Sequence, residues 1–159
     1  WRNMDDLMGE PPQSMVETLP PQKEGGDNIR HIPIMGIIQA GSDEFEHESG
    51  LGYLGLPKDW FHPEHDYEAC LVKSEAYVPL GVWPGCKAVY EIEGALENED
   101  LVVVQLGDRL CLRKFFDLGD QILLQGGPLS RPICVDKDHS SVRVVGVVRE
   151  LISRFKEMR

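Results

Sequence analysis

Between residues 87 and 148 the chain is a succession of short apolar runs cut by turn residues, and no other feature constrains its fold as much. Lys87-Ala88-Val89-Tyr90-Glu91-Ile92-Glu93 alternates as a half-buried strand does, whereas Leu101-Val102-Val103-Val104-Gln105-Leu106 is apolar on both faces. Gly107-Asp108 is hairpin chemistry, leading into a strand over 109–116. Leu118-Gly119-Asp120 turns the chain into a further strand over 121–125, and 126–131 is a loop. Pro132-Ile133-Cys134-Val135 follows as a short strand, and a Val-rich run over 141–148 closes the sheet. Residues 149–159 are expected to wind into a short helix with Leu151, Ile152 and Phe155 on one face. Runs of roughly five to eight residues spaced by turns, with almost no helix, predict a mainly β domain.

The first half reads the same way. His31-Ile32-Pro33-Ile34-Met35-Gly36-Ile37-Ile38 is a strand whose Pro stands near the start, where a missing N–H is tolerated. It runs into Gln39-Ala40-Gly41-Ser42, then into an acidic segment over 43–48 that reads as a solvated loop. A short strand over 50–56 precedes Pro57-Lys58-Asp59-Trp60-Phe61, a single helical turn with Pro at its first position. His62-Pro63-Glu64-His65-Asp66 is a polar surface turn: Pro63 breaks helical register between the two His, and no third ligand stands at a metal-site spacing. No metal and no cofactor are expected. Ahead of all this, Pro11-Pro12, Pro20-Pro21 and Gly25-Gly26 mark residues 1–30 as a linker or arm, leaving 31–159 as the β-domain.

Twenty-seven acids against 16 bases give a net charge of −11, which argues against this piece binding a nucleic-acid backbone by itself. A chain of 159 residues that is 42 % hydrophobic is one domain, and it buries enough surface for a core without staples. It holds no apolar run long enough for a membrane span and no signal-peptide layout. Cys70, Cys86, Cys111 and Cys134 lack C-x-x-C pairing and sit in apolar strand patterns, so they are expected as buried free thiols in a reducing cytoplasm. A chain that begins at Trp1 is expected to be a piece of something longer.

The stretch Cys70-Leu71-Val72-Lys73-Ser74-Glu75-Ala76-Tyr77-Val78-Pro79-Leu80-Gly81-Val82-Trp83-Pro84-Gly85-Cys86 is a strand, a turn at Pro79 and Gly81, and a second turn at Pro84-Gly85 before the next apolar run. This unit resembles the active-site segment of the LexA/UmuD/phage-repressor family of self-cleaving serine peptidases. The resemblance covers roughly residues 31–151. It places the nucleophile at Ala76, the family's Met at Tyr77 and its Asp at Cys86. It also places the bond that such domains cut in themselves at Ala40-Gly41, and the catalytic Lys at Arg113 within Leu110-Cys111-Leu112-Arg113-Lys114-Phe115. Thirty-six residues separate Ala40 from Ala76 and 37 separate Ala76 from Arg113, both close to the family's separations.

A serine–lysine peptidase needs a hydroxyl and a Lys desolvated until it gives up its proton near neutral pH. Alanine has no hydroxyl, and arginine keeps its proton, so the resemblance implies a peptidase-like scaffold without its proton-transfer pair. Ser74 falls two residues from Ala76 on the same face if the strand continues, but about 7 Å upstream. Lys114 falls on the face opposite Arg113. Both are therefore expected to be ordinary surface residues, with Ser74 and Tyr77 as the candidate cleft positions beside Ala76. For partners the resemblance implies a homodimer built on the last strands (142–148 and the tail through Phe155) and operator DNA held by an N-terminal helix-turn-helix domain outside this sequence. A RecA filament is the family's trigger; for a chain unable to cut itself, an antirepressor protein or other ligand takes that part. Two other readings stay open: a self-cleaving domain captured as an inactive mutant, and a UmuD-like subunit that serves a polymerase.

Overall fold

A computed structural model describes residues 28–127, 130–139 and 141–153. The linker or arm expected at the start lies outside the described residues as far as Asp27. The described chain forms β1 (Ile29–Ile38), β2 (Tyr53–Pro57), β3 (Tyr67–Val72), β4 (Cys86–Ile92), β5 (Leu101–Leu106), β6 (Arg109–Asp117), β7 (Gln121–Gln125), β8 (Ile133–Asp136) and β9 (Val142–Ser153). Its helical content is two single turns of 3-10 helix, Lys58–Trp60 and Val78–Leu80. The fold is mainly β, as the punctuated apolar runs predict.

The strands form one mixed sheet in the order β2-β1-β3-β4-β9-β5-β6-β7-β8. Only β1 and β3 run parallel, and the long crossover between them, carrying β2, is what a parallel pair requires. Irregular register at Ile34/Gly36, Val89/Tyr90 and Val103/Val104 adds local bends that curl the sheet around its own core. Val102, Val103 and Val104 are all fully buried, so β5 is covered on both faces, as its unbroken apolar run requires. One core cluster, around Tyr77, Tyr90, Val103 and Leu112, lies beneath the turn after β3 and fixes it against β6.

Four expectations are corrected. Residues 149–153 do not turn helical: they extend β9, because β4 offers pairing partners for Glu150, Leu151, Ile152 and Ser153. The expected helix over 154–159 falls outside the described residues. The Val-rich run lies in the middle of the sheet instead of closing an edge; β9 pairs with β5 through Val142–Val147 and with β4 from Gly146 onward. Cys134 is exposed, since β8 pairs only with β7 and its alternate residues face outward, whereas Cys70, Cys86 and Cys111 are buried. The helical turn after β2 begins at Lys58, with Pro57 closing the strand.

Candidate functional site

β3 ends at Val72, so the strand does not continue to carry Ser74 and Ala76 on one face. The chain bends instead. Lys73 N–H donates to the Ile38 carbonyl at 2.8 Å, tying the end of β3 to the end of β1. Ser74 Oγ accepts from the Ala76 N–H at 3.0 Å and fixes the turn. Tyr77 then starts the turn Val78–Leu80, and its carbonyl accepts from both Leu80 and Val82. Gly81, at φ 93°, closes that turn in the left-handed region. Gly85 N–H donates to the Val72 carbonyl at 2.7 Å, so the loop starts and ends side by side. Ser74 is fully buried, not a surface residue.

Ala40 and Gly41 leave β1 in a tight turn in which Ser42 N–H donates to the Gln39 carbonyl at 3.0 Å and Gly41 adopts φ 83°. This turn faces the one holding Ala76. Ala40, Gly41 and Asp43 form one wall of a groove of about 650 Å³, and Ser74, Glu75 and Ala76 form the other. The dipeptide and the alanine singled out in the sequence therefore meet across one cleft.

Arg113 reaches the same region from β6. It is 7 % exposed, and its Nη1 donates to the Arg131 carbonyl at 2.8 Å and the Leu124 carbonyl at 3.4 Å. Two consecutive glycines lie between it and Ala76. A Cβ on Gly126 would stand 2.9 Å from Arg113 Nη1, and a Cβ on Gly127 would stand 2.3 Å from the Ala76 carbonyl oxygen. Positions 76 and 113 thus flank one dipeptide, which has no room for side chains. The Arg113 guanidinium is engaged with main-chain carbonyls, so it ties Leu124 to Arg131 and is not an open charge on the cleft floor. Lys114 is half-buried and lines a second groove with Pro79, Leu80 and Pro132, a groove that also takes in Gly126, Gly127 and Ser130.

Two buried thiols, Cys70 and Cys111, stand on β3 and β6. Burial pushes the Cys70 thiol up to about 12. Burial also raises Cys111, outweighing the hydrogen bond and charge of Arg113. A thiol held protonated is unreactive at neutral pH.

Sequence reasoning missed Asp43, Ser130 and the Gly126-Gly127 pair. The Ser130 hydroxyl donates to Asp43 Oδ2 at 2.7 Å, and the Tyr77 hydroxyl donates to the Asp43 carbonyl. The adjacent glycines were a visible signal of close approach; the other two residues gave none. The His62–Asp66 stretch is the exposed polar turn expected, and it is also tied to its neighbours. His65 Nδ1 pairs with Glu91 Oε2, the two imidazoles stack with centroids 3.9 Å apart, and Arg30 donates to the His62 carbonyl at 3.0 Å. No cluster of metal-ligating side chains exists among the described residues.

Comparison with known proteins bears on the family of the chain. The family described as Peptidase S24-like matches residues 33–149. The LexA repressor of Clostridium tetani is 29 % identical over 120 residues, covering 75 % of this chain and 60 % of that protein. The LexA repressor of Clostridium kluyveri is 30 % identical over 130 residues, covering 81 % and 64 %. That of Clostridium acetobutylicum is 27 % identical over 119 residues, covering 74 % and 58 %. The chain thus spans about three fifths of the length of these curated relatives. With a family match from residue 33 to residue 149, most of its length, the chain belongs to the Peptidase S24-like family.

Proposed function

We propose that this chain is the regulatory and self-associating C-terminal domain of a LexA-like, helix-turn-helix transcriptional repressor, peptidase-like in build and unable to cut itself. The observation that carries the reading is the meeting of Ala76 and Arg113 at Gly126-Gly127, across the groove from Ala40-Gly41. A methyl group supplies no nucleophile, and losing the nucleophile alone costs a serine hydrolase on the order of 10⁶ in turnover. A guanidinium stays protonated at any accessible pH, so it cannot accept the proton a hydroxyl would have to lose. The relatives named LexA repressor supply the repressor part of the reading; operator DNA is then held by a domain upstream of this one.

Self-association has its own support. β9 extends six residues beyond its pairing with β5, and Leu151 in that extension is 40 % exposed. A strand that outruns its neighbour offers main-chain groups to a two-fold mate, and a two-fold repressor spans two half-sites. Release from DNA then depends on a ligand or antirepressor protein instead of self-cleavage.

Reverting both positions, Ala76→Ser with Arg113→Lys, tests the assignment. The doubly reverted chain is expected to yield a fragment beginning at Gly41 during alkaline incubation. If it stays whole, positions 76 and 113 are not the vacated nucleophile and base.

A further inference from the structure

Tyr77 stands where the family resemblance places a Met, and its hydroxyl makes bonds that a thioether does not. It donates to the Asp43 carbonyl oxygen and accepts from the Leu112 N–H at 3.3 Å. One phenol therefore joins three segments: the turn after β3, the chain two residues past Gly41, and β6 one residue before Arg113. The ring is 1 % exposed. Burial, opposed by the Leu112 N–H, holds the phenol above its ordinary range, so it remains a donor throughout the physiological span.

Asp43 is gripped a second time through its side chain, by the Ser130 hydroxyl at 2.7 Å. Ser130 is itself seated: its N–H donates to the Gly127 carbonyl at 3.0 Å, and its Cβ lies 2.6 Å from where a Gly126 Cβ would stand. Two residues beyond Asp43, Phe45 exchanges both main-chain hydrogen bonds with Leu110, at 2.7 and 2.8 Å. Its buried ring lies on Gly36, where a Cβ would meet Cδ2 at 2.3 Å. The acidic stretch read from sequence as a solvated loop is thus fastened at Asp43 and again at Phe45.

We infer that Tyr77 and Ser130 form a latch on Asp43 that fixes residues 40–45 as a standing wall of the groove beside Ala76, so that the groove widens only when the latch releases. Tyr77 is a positioning residue: it acts through Asp43 and not on anything held in the groove. The latch governs the motion of the loop whether or not the chain cuts itself.

Hydrogen exchange on the full chain, followed by mass spectrometry, tests it. Tyr77→Phe keeps the ring and removes the hydroxyl. Amide exchange over residues 42–45 is expected to quicken about tenfold, the scale of one lost buried hydrogen bond, while β4 and β5 exchange at the parental rate. Ser130→Ala is expected to quicken the same residues by cutting the other tie. Because both act through Asp43, the double variant is expected to depart from the product of the two single effects. A purely structural role for Tyr77 would instead lower protection throughout the core. The latch is overturned if exchange over 42–45 is unchanged in both variants, or if it rises only together with the core strands. Should Tyr77→Phe fail to fold, Ser130→Ala decides on the same criterion.

Discussion

Arg149 Nε donates to Glu91 Oε1 at 2.8 Å, joining the middle of β9 to the end of β4. His65 pairs with the other carboxylate oxygen, so a nearly buried anion is held by a cation on one side and an imidazole on the other. Burial opposes the charge of Glu91. The hydrogen bond and charge of Arg149, with those of His65, outweigh it, and the carboxyl titrates below its ordinary value of 4.5. A depressed folded-state pKa contributes stability that is complete above the unfolded value and is lost as pH falls through the folded value. The urea midpoint is therefore expected to drop below about pH 4.5, and Glu91→Gln is expected to shrink that drop. At neutral pH the same variant should cost about 1.5–3 kcal/mol, the range for hydrogen bonds to charged groups. Asp117 titrates in the same direction through the Gly119 N–H and Lys137, so the difference between parent and variant profiles is the quantity to read.

Arg113 is expected to matter for stability through its main-chain contacts. Arg113→Ala removes the donor to the Arg131 and Leu124 carbonyls and opens a hole under Gly126. A loss of about 1–3 kcal/mol in denaturant unfolding is expected. An unchanged midpoint would mean that the positions of Leu124 and Arg131 do not depend on this side chain.

Self-association through the end of β9 predicts that Leu151→Glu weakens the dimer without unfolding the domain. Leu151 is 40 % exposed, so the monomer loses little by the change, whereas an interface would bury a charge. Sedimentation velocity should show a shift toward monomer with the circular dichroism spectrum unaltered. An unchanged distribution would move the interface elsewhere on the sheet.

The sequence disclosed what is local. Hairpins at Gly107-Asp108 and Leu118-Gly119-Asp120, the turn at Gly81, and the doubly covered β5 each follow from a few adjacent residues. What lay hidden depends on contacts between distant segments. Ser74 is buried because β3 stops and the chain folds under, and no property of Lys73-Ser74-Glu75 announces that stop. Residues 149–153 satisfy both a helical stripe and strand alternation, and pairing with β4 decides between them. The Tyr77–Asp43 bond spans 34 residues, so it became visible only once β1 and β3 were side by side.

The central claim is that this scaffold no longer cuts the bond at Ala40-Gly41, and intact-mass analysis of the parental chain tests it most directly. After prolonged incubation at alkaline pH, with and without activated RecA filaments, the account predicts one undiminished species at the full mass. A fragment beginning at Gly41 would contradict it.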